Sequence, residues 1–107
     1  MPEETLSFTV KQTTALRDID FPLHPQTVSA AHVGSLLEAV LDAISGQISQ
    51  QGKVSDGDLL QSLCMALAVR MHMVDSPPDA VRHLVAATLE QAETAVANSV
   101  IRPTGNA

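Results

Sequence analysis

The stretch that decides the fold is residues 59–74, LLQSLCMALAVRMHMV, which is apolar on two opposite sides when it is placed on a helix. One broad face carries Leu59, Leu60, Leu63, Cys64, Leu67, Met71 and Val74. A second, narrower stripe has the spacing i, i+4, i+8 and consists of Met65, Val69 and Met73. A helix that is apolar nearly all round belongs in an interior. The sequence therefore predicts that this helix carries the core and that neighbours cover both of its faces.

Two further helices flank this central one. The three helices are expected at about 29–51, 55–74 and 77–101. The first has an unbroken i, i+3, i+4, i+7 apolar pattern and stops at Gly52. The second begins at Ser55, with Asp58 at the third helical position as in a capping box. The third begins at Ser76, which two prolines follow directly, and it ends before Pro103. The connections are short, so sequential helices should be antiparallel neighbours.

The first 25 residues carry a different pattern. Leu6, Phe8 and Val10 alternate with polar residues, which is typical of a strand, and a similar alternation over residues 19–23 contains Pro22. A β-hairpin between these segments is one option, although the turn at 12–14 lacks Gly and Asn. Exchange of the segment between subunits and a mobile segment are the others.

The predicted fold class is therefore mainly α, a three-helix antiparallel bundle with a short extended N-terminal segment packed on it. We expect a single domain over residues 1–107. Its parts are an extended segment at 1–25, a bundle at 26–102 and a flexible tail at 103–107.

Composition argues against nucleic-acid and membrane partners. The net charge is −6, and the six Lys and Arg residues are scattered, whereas a phosphate backbone or an anionic membrane requires clustered basic residues. No run of about 18 apolar residues exists, so no membrane span is expected. The start, MPEETL, lacks the apolar core of a secretory signal. A soluble, cytoplasmic protein is the expectation that follows.

The sequence predicts no metal site, no cofactor and no catalytic constellation. No two of His32, His72 and His83 have the tight spacing of a zinc-ligand pair, and His83 is expected to be solvated. Asp18 and Asp20 would share one face of an extended segment, and a solvated strand edge is their expected setting.

The central helix contains a thiol, that of Cys64, and a guanidinium, that of Arg70. Cys64 is the only cysteine and is expected to be a small buried hydrophobe. Arg70 lies at the margin of the broad apolar face and is expected to pair with a carboxylate, for which Asp58, Glu38 and Asp42 are candidates.

The leading functional hypothesis is a non-enzymatic protein that associates with itself as a homodimer. Its interface would contain Met65, Val69 and Met73, with Arg70 beside them, because this stripe exceeds what one bundle face needs. The competing structural hypothesis is that residues 5–23 cover the stripe within a monomer. A small histidine phosphotransfer-type or other enzyme module using an exposed histidine is the functional alternative, and an adaptor for an unrelated protein partner is a third.

Overall fold

The computed structural model of the chain describes residues 4–104 and contains three strands as well as three helices. The elements in chain order are β1 (Thr5–Lys11), β2 (Ala15–Pro22), α1 (Ala30–Gln51), α2 (Asp56–Met71), α3 (Pro78–Ala97) and β3 (Val100–Pro103). The strands form one antiparallel sheet in the order β1-β2-β3. The predicted mainly-α bundle with a short N-terminal segment is therefore wrong, and the architecture is α+β. Residues 1–3 of the predicted segment and 105–107 of the predicted tail lie outside the described residues.

The N-terminal segment forms the hairpin that was one of its three options. β1 and β2 pair without a break from Thr5 opposite Pro22 to Lys11 opposite Leu16. The backbone N–H of Gln12 donates to the carbonyl of Ala15 at 2.8 Å and closes the turn. Among the described residues no non-glycine residue has a positive φ, so this turn does not need the glycine or asparagine that primed hairpin turns require.

The C-terminal strand is the element that the sequence interpretation missed. α3 was expected to continue to about residue 101 but ends at Ala97, after which Val100 pairs with Asp18 and Ile101 with Arg17. Two β-branched residues in succession favour a strand, and Pro103 disfavours helical backbone at the residue before it. These two signals account for the early end of the helix, because the ladder with β2 supplies the hydrogen bonds that another helical turn would have made.

By backbone contacts the described chain divides into two compact units. The sheet unit comprises residues 4–34 and 86–104. Its core is formed by Ile19, which is only 3% exposed, together with Leu23 and Ala95. The first turns of α1 also pack against the sheet, because a Cβ added to Gly34 would lie 3.2 Å from Leu6 Cδ1. None of the buried residues in the described chain belongs to α2, so the prediction that the central helix carries the core is wrong.

The helical unit, Ser35–Val85, contains most of α1, all of α2 and the start of α3. The predicted cap of α2 is confirmed, since Asp58 N–H donates to Ser55 Oγ at 3.1 Å. α2 ends at Met71, earlier than predicted, where the N–H of His72 still donates to the carbonyls of Ala68 and Val69. Neither α1 nor α2 contains a buried residue, so the expected covering of both faces of the central helix does not occur within the described chain.

Candidate interface

The predicted interface stripe is exposed. Met65 is 58% exposed, Val69 60% and Met73 63%. Met65 and Val69 lie one turn apart on α2, whereas Met73 lies in the turn that follows the helix, so the stripe is helical over only part of its predicted length. Exposure extends to other large apolar side chains of the helical unit: Leu36, Val40, Ile48, Leu60, Leu63, Leu67, Val74 and Leu84.

A groove between α1 and α2 adds apolar surface to this unit. Its volume is 540 Å³, and Ile44, Ile48, Leu59, Leu63 and Ala66 provide its apolar lining. On each helix these residues lie three or four positions apart, so they occupy successive turns of one face. The groove therefore offers a concave, mainly aliphatic surface.

Arg70 has a different partner from the one expected. Its Nη1 donates to Met73 Sδ at 3.4 Å, and none of the carboxylates described over residues 4–104 forms an ion pair with it. The three expected partners, Asp58, Glu38 and Asp42, are therefore not used. The guanidinium holds the thioether of Met73 beside the last turn of α2, where a cation also interacts favourably with the helix dipole.

The other residues considered for chemistry are separate from one another. Cys64 is exposed, so the prediction that it is buried is wrong; no described residue of α2 is buried. His32, His72 and His83 are exposed on or next to three different helices. Within residues 4–104, no three His, Cys, Asp or Glu side chains are grouped as metal ligands.

The sheet unit contains a second cleft, whose lining includes several charged and polar side chains. Its volume is 680 Å³, and it lies between one face of the sheet and the later turns of α3, with Asp18, Asp20, Glu90 and Asn98 among the lining residues. As expected for i and i+2 in a strand, the two aspartates share a face. Ser7 donates a hydrogen bond of 2.8 Å to Asp20.

Asp18 accepts more hydrogen bonds than the other carboxylates of this cleft. Arg102 donates to it through Nε at 2.6 Å and through Nη2 at 3.2 Å, and Thr9 Oγ1 donates at 2.7 Å. The hydrogen bonds from Arg102 and then from Thr9 hold the pKa of Asp18 below its ordinary value of 3.8. The same pairing raises the pKa of Arg102. These contacts join β1, β2 and β3, so the carboxylate has a structural role in the sheet.

Arg17 is a residue whose role the sequence interpretation missed. From β2 its Nη1 donates to Ser99 Oγ at 2.8 Å and to the carbonyl of Val96 at 3.4 Å. The Val96 carbonyl at the C-terminus of α3 also accepts hydrogen bonds from the N–H and the hydroxyl of Ser99. Arg17 therefore adds a positive charge at the end of the helix that its dipole favours. No local sequence signal predicts this contact, because 79 residues separate Arg17 from Val96.

No protein-family model, no curated protein and no solved structure matches this chain. None of the helices within residues 4–104 combines the length and the apolar character needed to cross a membrane.

Proposed function

We propose that this protein functions through association with a second copy of itself, with the exposed apolar side chains of α2 at the centre of the interface. The observation that carries this proposal is the exposure of Met65, Val69 and Met73, together with the absence of buried residues along α2. Contiguous apolar patches larger than a few hundred Å² are rare on monomeric proteins, and covering them by a symmetric partner is the commonest solution. Methionine also adapts its shape readily to an opposing surface.

The charges of α2 favour an antiparallel arrangement of two copies. Asp56 and Asp58 lie in the first turn, and Arg70 lies in the last turn. When two such helices lie antiparallel, the basic end of each meets the acidic end of the other, whereas a parallel pair would place like charges together. No charged residue lies between Asp58 and Arg70, so the middle of the contact is free of charge repulsion.

The interface must extend beyond α2. Sixteen residues form a rod about 24 Å long and about 10 Å wide. That strip is well short of the roughly 800 Å² that each partner contributes to a standard interface. The exposed apolar side chains of α1, among them Leu36 and Val40, supply further area within the same unit.

The test is the mass of the purified chain in solution. Sedimentation equilibrium over a range of concentrations is expected to give a species of twice the 11.3 kDa chain mass. A chain that stays at 11.3 kDa up to about 1 mM, where even a weak complex forms, contradicts the proposal. If the chain stays monomeric and instead purifies with an unrelated protein, the adaptor hypothesis replaces self-association.

A further inference from the structure

The two edges of the sheet are built differently, and β1 is the open one. Two hydrogen bonds fix which of its backbone groups face outward: the N–H of Leu23 donates to the carbonyl of Glu4, and that of Gln12 donates to Ala15. Hydrogen-bonded pairs alternate along an antiparallel ladder, so the even-numbered residues of β1 face β2. The remaining backbone N–H and C=O groups face away from the sheet and belong to Thr5, Ser7, Thr9 and Lys11.

These outward groups have no backbone partner among the described residues. Natural edge strands are normally protected by charged side chains, lysine above all, by proline, by a bulge or by short length. β1 has one of these devices, Lys11, and it lies at the end of the strand; its seven residues contain no proline and pair with β2 without a bulge.

The opposite edge is protected. Thr104 N–H donates to the carbonyl of Thr14, so the backbone N–H and C=O groups of the even-numbered residues of β3 face β2. Ile101 and Pro103 therefore face outward, and proline has no N–H to donate. β3 is also only four residues long. One edge thus resists strand addition while the other presents a full row of donors and acceptors.

We infer that β1 pairs antiparallel with β1 of a second copy, which joins two three-stranded sheets into one continuous six-stranded sheet. The inference rests on the proposed self-association, because its partner is a second copy of the chain. The contact itself is made by a different surface, the outer edge of β1. Full overlap of the strand with itself centres the pairing on Phe8. Ser7 then lies opposite Thr9 of the other copy, and Thr5 lies opposite its Lys11.

This register is self-complementary. All outward N–H and C=O groups of β1 find partners, because Thr5, Ser7, Thr9 and Lys11 are the residues that meet in hydrogen-bonded pairs. On the apolar face Leu6 lies opposite Val10, and Phe8 meets Phe8 at the two-fold axis. The antiparallel direction also separates the two Lys11 side chains, whereas a parallel pair would place them side by side.

Cross-linking tests the register directly. In a Cys64→Ser background, which removes the exposed native thiol, two single variants are made: Ser7→Cys and Thr9→Cys. In the proposed register, residue 7 of one copy and residue 9 of the other form a hydrogen-bonded pair, with Cα atoms about 5.5 Å apart and within reach of a disulfide. In a dimer of one variant, the two cysteine Cα atoms would be about 9 Å apart, which is too far. An oxidised mixture should therefore form the mixed disulfide, and each variant alone should not.

A second measurement uses the dimer dissociation constant. Ser7→Pro removes one outward N–H from each copy and is tolerated at an edge strand, while Ser7→Ala is the matched control that loses the hydroxyl but keeps the N–H. We expect the dimer of Ser7→Pro to be about 30-fold weaker than that of Ser7→Ala.

The outcomes separate this inference from the proposed function. If the chain dimerises and Met65→Asp dissociates it, but neither the mixture nor the single variants cross-link, the strand pairing is wrong and the α2 interface stands. Equal cross-linking by the single variants refutes the register centred on Phe8. If the dimer responds to Ser7→Pro and not to Met65→Asp, the strand edge is the interface and α2 is not. A wild-type chain that remains monomeric overturns both.

Discussion

Replacing Met65 by aspartate is the sharpest perturbation of the proposed α2 interface. Full burial of a methionine side chain is worth about 1.5–3 kcal/mol, and the 58% of Met65 that is exposed leaves about 0.9–1.7 kcal/mol to be gained on association. Two-fold symmetry doubles this contribution to about 2–3.5 kcal/mol, or roughly a 30- to 400-fold change in the dimer dissociation constant. Two carboxylates placed in an apolar contact add a further penalty, so this range is a lower bound.

The assay is sedimentation equilibrium, with circular dichroism to confirm that the helices persist. Val28→Asp is the matched control, because Val28 is 99% exposed in the segment before α1 and the substitution changes the charge equally. Met65→Asp should raise the dissociation constant at least 30-fold, while Val28→Asp should leave it within about twofold. Equal dissociation constants for the two variants would refute the assignment of α2 to the interface.

Three further predictions concern the sheet, the glycines of α1 and the net charge. Asp18 has a folded-state pKa below 3.8, so its contribution to stability is present above that value and is lost as the pH falls through the folded pKa. The free energy of unfolding, measured with urea, should therefore fall less between about pH 6 and about pH 2 for Asp18→Asn than for wild type. Gly46→Ala should stabilise the chain by about 0.5–1 kcal/mol, because nothing lies within 4 Å of the added Cβ. Gly34→Ala should stabilise the chain less than Gly46→Ala does, because its added Cβ would lie 3.2 Å from Leu6 Cδ1. Equal urea midpoints for the two variants would contradict that packing. Finally, the net charge of −6 on each copy predicts that added NaCl strengthens self-association, and sedimentation at low and high salt checks the sign.

The sequence determined the local structure well where caps and periodicity act over a few residues. Ser55 caps α2 as predicted, and the first helix occupies Ala30–Gln51 against an expected 29–51. The alternation around Phe8 indicated a strand, and the strand is present. These features depend on hydrogen bonds and side-chain spacing within one or two turns, so neighbouring residues alone specify them.

Only the tertiary structure decided the sheet and the position of the core. Val100 and Ile101 fit the end of a helix as well as a strand until β2 is available to pair with them, and Arg17 reaches the end of α3 from a distant part of the chain. Whether an apolar helix is buried likewise depends on what lies beside it. The pattern of residues 59–74 specifies a helix that is apolar on both sides, but its neighbours in space decide whether those sides are covered. Such pairings span most of the chain, and no local signal encodes them.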